Sequence, residues 1–338
     1  MKKGSLEIAG NEIAPGTRKR IEIPLGRRVT GANITLPVEV VNGRHDGPRL
    51  FLCAAIHGDE INGVEIIRRV LRRKMVRALR GAVIAVPIVN VFGFIGLSRY
   101  LPDRRDLNRS FPGSLTGSLA ARIANTFVEE IVSHSTHGID LHTAAVHRSN
   151  LPQIRACLDD DETKRLAHSF GVPVLINANM RDGSLRQTVS ERKIPMLLYE
   201  GGEALRYNEP AIQAGVNGVL SVMRALEMLP PTKRRRAARK PFIARSSHWV
   251  RAPESGILRA RSPLGAAVDA GECLGIVADP LGAEEFEVHA SHKGIVIGRT
   301  ELPLVRGGDA LFHIATFARP AAVSESLDDF QGEHGWFT

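Results

Sequence analysis

The chain has 338 residues, of which 43% are hydrophobic and 24% charged, and its formal net charge is +9 at neutral pH. These values fit a soluble globular protein, and the length exceeds the usual span of one core, so two domains are expected. No run reaches the roughly eighteen apolar residues of a membrane span, and Cys53, Cys157 and Cys273 lie too far apart for Cys-x-x-Cys chemistry, which excludes a membrane-inserted chain and a disulfide scaffold.

Residues 1–45 alternate apolar and polar positions, as in Ile34-Thr35-Leu36 and Val38-Glu39-Val40, and predict an antiparallel β extension. The opening stretch, MKKGSLEIAGNEIAPG, has no apolar core behind its lysines, so a cytoplasmic location is expected. LFLCAAI at 50–56 is an unbroken apolar run, which predicts a buried strand of a parallel sheet. Ile61, Val64, Ile67 and Leu71 then recur at helical spacing and predict a helix over 60–74. His57 and Glu60 therefore fall at a strand-to-helix crossing, three residues apart. There an imidazole and a carboxylate can aim at one divalent cation.

A strand over 82–89, a loop over 90–113 and a helix over 117–133 follow. Within the loop, SRYLPDRRDLNRSFPG is dense in arginine, and Asn108 with Arg109 makes an anion receptor from a planar guanidinium fork and a neutral amide. GIDLH predicts a strand over 138–142 that places His142 at its carboxyl end, where sites gather in open α/β sheets, and His142 is the best third ligand. Arg148 and Arg155, in HRSNLPQIR, are candidates for substrate contact, with surface salt links as the alternative. Strands over 173–177 and 194–200 come next, the second delivering Glu200 as a candidate general base. Spacing leaves Glu203 open as its rival. Pro210 and the stripe Ile212, Val216, Val219, Met223, Leu226 and Leu229 predict a helix over 210–229.

KRRRAARK at 233–240, bounded by prolines, predicts a solvated basic linker over 231–241. No aromatics interleave with it, so neither nucleic acid nor membrane is an expected partner. Beyond it an internal repeat appears. Val250, Ala252, Gly256 and Ile257 recur as Val288, Ala290, Gly294 and Ile295, while Val268, Gly271, Glu272 and Leu274 recur as Val305, Gly308, Asp309 and Leu311. Two such units predict a small β barrel-sandwich over 242–320, similar to biotinyl/lipoyl-type domains, followed by a tail at 321–338. The hairpin between the repeats, ADPLGAEEFEV, has no lysine to carry a group, so the module is expected to pack on the catalytic domain, shape its entrance or support a homo-oligomer.

HGDE at 57–60, RY followed by DLNR across 99–109, DLHT at 140–143 and LYEG at 198–201 occur in an order that resembles the succinylglutamate desuccinylase/aspartoacylase family of zinc carboxypeptidase-like hydrolases. The resemblance implies an α/β catalytic domain over 46–230 with a mostly parallel or mixed sheet flanked by helices. It implies His57, Glu60 and His142 as ligands of one Zn2+ per chain and Glu200 as general acid/base. It further implies Arg99 as the carbonyl-polarising arginine and Asn108 with Arg109 as the substrate carboxylate clamp. Two extra residues in the spacer leave Arg104 or Arg105 as alternatives to Arg99. The implied activity is hydrolysis of the amide of a small N-acyl amino acid, including an N-acetyl diamino acid. A zinc carboxypeptidase acting on peptide or peptidoglycan-like amides and a non-catalytic metal-binding or regulatory protein are the competing readings.

Overall fold

The computed structural model describes residues 4–27, 29–178, 181–232, 241–318 and 320–334, so the basic run at 233–240 lies outside the described residues. From the amino terminus come β1 (Leu6–Ile8), β2 (Asn11–Ile13), β3 (Thr17–Arg27), β4 (Asn33–Asn42), β5 (His45–Ala54), α1 (Asn62–Leu71), β6 (Arg80–Val86), α2 (Val91–Ile95), α3 (Leu119–Phe127) and β7 (His137–Ala144). Next are β8 (Arg148–Ala156), α4 (Asp161–Phe170), β9 (Val174–Asn177), α5 (Leu185–Glu191), β10 (Met196–Glu203) and α6 (Glu209–Ala225). The remainder is β11 (Phe242–Ala244), β12 (Ser246–Arg251), β13 (Gly256–Ala260), β14 (Ala267–Val268), β15 (Cys273–Ala278), β16 (Glu285–His289), β17 (Gly294–Thr300), β18 (Leu304–Val305), β19 (Ala310–Thr316) and α7 (Pro320–His334).

The centre of the main sheet, β10-β7-β5-β6, is parallel throughout, and β4 and β3 extend it antiparallel on one side. Apolar side chains are needed on both faces of such a centre, and successive residues of β5 divide between them. Leu50, Leu52 and Ala54 pack with Ile66, Ile67 and Val70 of α1 and Ile212, Val216 and Val219 of α6, whereas Phe51 and Cys53 pack with Ile123, Ala124 and Phe127 of α3. Each such leucine, isoleucine or phenylalanine contributes about 1.5–3 kcal/mol on burial. Helices thus cover both faces of a mixed sheet, the α/β class expected from the sequence.

Some elements differ from the sequence reading. Helix α3 ends at Phe127, and a π turn over Val128–Val132 replaces its last part, with Ser133 N donating to Val128 O five residues back. β8 was not predicted as a strand, because RSNLPQIRA is polar and holds Pro152. Its Asn150 and Gln153 are nevertheless buried. Helices α4 and α5 are also additions. Asp160 caps α4 by accepting from Thr163 N at 2.7 Å, and Gly171 ends it in the left-handed region at φ 87°.

In the carboxyl-terminal part the repeat is visible bond by bond. Gly308 N donates to Ala252 O, as Gly271 N does to Ala290 O, while Ala252 N donates to Asp309 O, as Ala290 N does to Glu272 O. Gly256 pairs with Val305 as Gly294 pairs with Val268. Each unit nevertheless contributes to both of two sheets, and corresponding strands fall in opposite ones: β13 and β15 join β16 and β18, whereas β12 and β14 join β17 and β19. β16-β15-β13-β18 is a separate four-stranded sheet, whereas β12-β19-β17 continues the main sheet because β17 pairs with β8, Gly298 opposite Asn150. Leu151, Val174, Ile176, Ala244, Ile295, Ile297 and Ala315 form a shared core with Val323 and Leu327 of α7. Among the described residues no helix is long and apolar enough to cross a membrane.

Candidate active site

The chain leaves β5 through Ala55, which has a positive φ of 50°, and turns at His57, whose carbonyl accepts from Glu60 N at 3.1 Å. The glycine of HGDE is sterically required. A Cβ on Gly58 would lie 2.0 Å from the carbonyl carbon of Gly93 in α2, backbone that has no way to yield. Gly63, the second residue of α1, would place its Cβ 2.6 Å from Ala54 Cβ and 2.8 Å from Leu141 Cβ, so α1 rests directly on β5 and β7. His142 lies inside β7, two residues from its end, and pairs in register with Glu200 of the neighbouring parallel strand β10.

These elements bring His57, Glu60 and His142 together, all buried, with donor atoms within 4.8 Å of one another. His57 Nδ1 is 2.7 Å from Glu60 Oε1 and His142 Nδ1 is 2.7 Å from Glu60 Oε2, and Thr143 N donates to Oε2 at 3.0 Å. The outer nitrogens are also held. His142 Nε2 lies 2.7 Å from Asp140 Oδ2 and His57 Nε2 lies 3.2 Å from Asp106 Oδ1. A carboxylate behind each imidazole fixes the ring so that Nδ1 faces inward, the outer support usual for metal-ligating histidines. Two inward imidazole nitrogens and a carboxylate fit a divalent cation such as zinc.

Electrostatics follow the same contacts. Burial alone would depress the His142 imidazole, but Asp140 and Glu60 outweigh it and raise its pKa well above the usual value. Burial opposes the Glu60 carboxylate, yet His57 and His142 hold its pKa far below the carboxylate range. Cys53, read as core from the sequence, is fully buried and its thiol donates to Asp140 Oδ1 at 3.3 Å.

The three residues open onto a cavity of about 430 Å³. Arg99, Asn108, Arg109, Arg155 and Glu200 all line it, as does Arg148. Arg99 bridges Glu60 Oε1 at 3.2 Å and Asp106 Oδ2 at 3.1 Å. Arg104 and Arg105, its alternatives, are exposed and do not line the cavity. Asn108 Oδ1 accepts from Leu185 N at 3.0 Å, leaving its amide as the donor facing inward. Glu200 Oε2 accepts from Asn150 Nδ2, and Oε1 lies 3.2 Å from Arg155 Nε. Glu203 instead accepts from the backbone N of His147 at 3.1 Å and pairs with Arg206, away from the cavity.

Other lining residues were not singled out from the sequence. Arg181 and Arg186 flank the start of α5, and Ser247, Trp249 and His313 come from β12 and β19. Nothing in local spacing links 249 or 313 to a site near 60, since only the continuous sheet brings them there. Arg148, placed by the sequence beside Arg155, lies over the Trp249 ring at 5.2 Å.

A family model for the succinylglutamate desuccinylase/aspartoacylase catalytic domain matches residues 46–226. The N-alpha-acetyl-L-2,4-diaminobutyric acid deacetylase of Halomonas elongata is 28% identical over 297 residues, which cover 83% of this chain and 86% of that protein. A solved succinylglutamate desuccinylase/aspartoacylase from Rhodobacter sphaeroides superposes with a TM-score of 0.79 at 26% identity, covering 89% of this chain and 96% of the other. The product-bound ectoine utilization protein EutE (DoeB) of Ruegeria pomeroyi shares the fold, with a TM-score of 0.80 at 23% identity over 88% of this chain and 95% of the other.

Proposed function

The chain belongs to the succinylglutamate desuccinylase/aspartoacylase family, and on that premise we propose that it is a zinc-dependent amidohydrolase that releases the acyl group from an N-acyl amino acid. The observation that carries the reading is that His57, Glu60 and His142 converge in the cavity that also holds Glu200. An N-acetyl diamino acid is the substrate supported by the Halomonas relative.

His57, Glu60 and His142 would hold the ion. A bound zinc ion supplies Lewis acidity, acidifying a water molecule and polarising the scissile carbonyl. Glu200, aimed by Asn150 and Arg155, takes a proton from the attacking water and delivers it to the amide nitrogen as the carbon–nitrogen bond breaks. Water oxygen ends on the acyl carboxylate and the proton on the free amine. Arg99, fixed by Glu60 and Asp106, adds positive charge beside the carbonyl oxygen as it becomes negative, a kind of stabilisation worth about 3–4 kcal/mol per well-placed donor. Asn108 and Arg109 receive the carboxylate of the substrate, a fork geometry suited to a planar anion.

A peptide would need an open groove, whereas Trp249 and His313 wall this cavity from the carboxyl-terminal side. The test is amine release from a panel of N-acyl amino acids by the purified, zinc-loaded protein. Turnover of small N-acyl amino acids with none of peptides is expected, and no release from any N-acyl amino acid would overturn the reading.

A further inference from the structure

Strand order gives the cavity a direction. Crossing the main sheet from the ligand His142 on β7, the next strands are β10 with Glu200, β8 with Arg155, β17 with Gly298, β19 with His313 and β12 with Trp249. Under the proposed function, on which this inference rests, Glu200 stands beside the nitrogen that leaves, so the departing amino acid extends towards His313 and Trp249. Arg148 and Arg155 on that side are guanidinium groups, which donate hydrogen bonds and accept none.

His313 differs from them. It is only 5% exposed and lines the cavity; its Nδ1 is enclosed and has no hydrogen-bond partner among the described residues, so Nε2 is the nitrogen free to accept from a substrate. Its ring lies flat on Trp249, with centroids 4.6 Å apart and planes at 9°, so the directions of its in-plane nitrogens are fixed. Gly298, opposite it in the ladder, leaves room: a Cβ there would come within 3.4 Å of His313 Cβ and 2.7 Å of Asn150 Oδ1. We infer that His313 is a specificity-determining residue, a hydrogen-bond acceptor that reads a polar hydrogen on the side chain of the leaving amino acid.

The charge state agrees with this role. Burial, and behind it Arg155 and His248, push the His313 imidazole down to about 3, so near neutral pH it keeps the lone pair that an imidazolium would lose.

Three N-acetyl amino acids of matched side-chain length test the inference: the 2,4-diaminobutyrate, with an ammonium, homoserine, with a hydroxyl, and norvaline, with a methyl. His313→Ala should lower kcat/KM roughly 10–100-fold for substrates with the polar hydrogen, chiefly through KM, and leave norvaline within about threefold. His313→Asn, which restores an acceptor, should recover part of the loss. A loss confined to either the ammonium or the hydroxyl substrate supports the inference and names the donor. Equal losses on all three, or none, overturn it.

Binding of the three free amino acids supplies a readout independent of turnover. It is followed by Trp249 fluorescence in a Trp336→Phe background, the chain having two tryptophans. The polar pair should bind more tightly than norvaline, with that preference lost in His313→Ala. If no N-acyl amino acid is hydrolysed but this preference holds, the amidohydrolase reading falls and the acceptor role of His313 stands; if turnover is found without the preference, the reverse is true.

Discussion

Asp140 serves two groups at once, one oxygen supporting His142 Nε2 and the other accepting from the Cys53 thiol, while Asp106 supports His57 and Arg99. Neither aspartate needs to touch an ion to govern how tightly one is held. Asp140→Asn should therefore weaken zinc binding about 10–100-fold, read by competition with a chelator, with the circular dichroism spectrum unchanged. Unaltered affinity would show that the imidazole is oriented by its packing alone. Glu200 is a contrasting case, since its carboxylate lies outside the His-Glu-His set. Glu200→Ala should keep one zinc per chain by elemental analysis and lose roughly 10²–10⁴-fold in kcat, and full activity would remove it from the mechanism. At this scale the sequence was most legible where chemistry depends on short spacings, as in HGDE and DLH. It left Glu203 open because two acids three residues apart beside glycines look alike. The register irregularity between Glu200 and Glu203 in β10 separates them, and it depends on pairing with β7 and β8. Arg99 was likewise separable from Arg104 and Arg105 only once the loop closed on Asp106.

Among the elements, α1 carries the ligand-bearing turn and is tied to α6 through charge. Arg68 Nε donates to Glu65 Oε2 and Arg69 Nε to Glu65 Oε1, both at 2.6 Å, and Arg69 also reaches Glu209 Oε2 at 2.8 Å. The Arg68 guanidinium, assisted by Arg69, lowers the Glu65 carboxyl to about 2 against the opposing effect of burial. A carboxyl depressed on folding stabilises the fold above its unfolded value, and that contribution is lost as pH falls through the folded value. Between about pH 4.5 and pH 2 the wild type should therefore lose stability that Glu65→Gln already lacks. Because Arg68 is half exposed, the difference at neutral pH should be about 1 kcal/mol, measured by urea unfolding across that window. Parallel curves at every pH would exclude the contribution. Elements with strong periodicity, α1, α6 and the strands β5, β7 and β10, could be read from the chain within a few residues. β8 could not, because its buried positions are polar and face a cavity, so alternation of apolar and polar residues was the wrong signal for it.

For the whole molecule, the repeat predicted a β module, but its sequence did not reveal that one of its sheets is continuous with the catalytic one. β17 is bonded to β8, and α7 places Val323 and Leu327 in the core shared by both parts and Phe330 in the core beneath α6. Separation would strip Leu151, Val174 and Ile176 of their cover. Calorimetry should show one transition, with equal van't Hoff and calorimetric enthalpies. Two resolved transitions would mean that the module holds its fold alone. The pairing of Gly298 with Asn150 has a consequence for how such proteins can diversify. A recombination crossover between residues 226 and 242 would join the part matched by the family's catalytic-domain model from one ancestor to a module from another. Asn150, which donates to Glu200, would then face an unfamiliar strand. Chimeras of that kind would inherit an intact His57-Glu60-His142 cluster and a misdirected Glu200, so a new substrate preference would have to arise by paired changes on both sides of that junction.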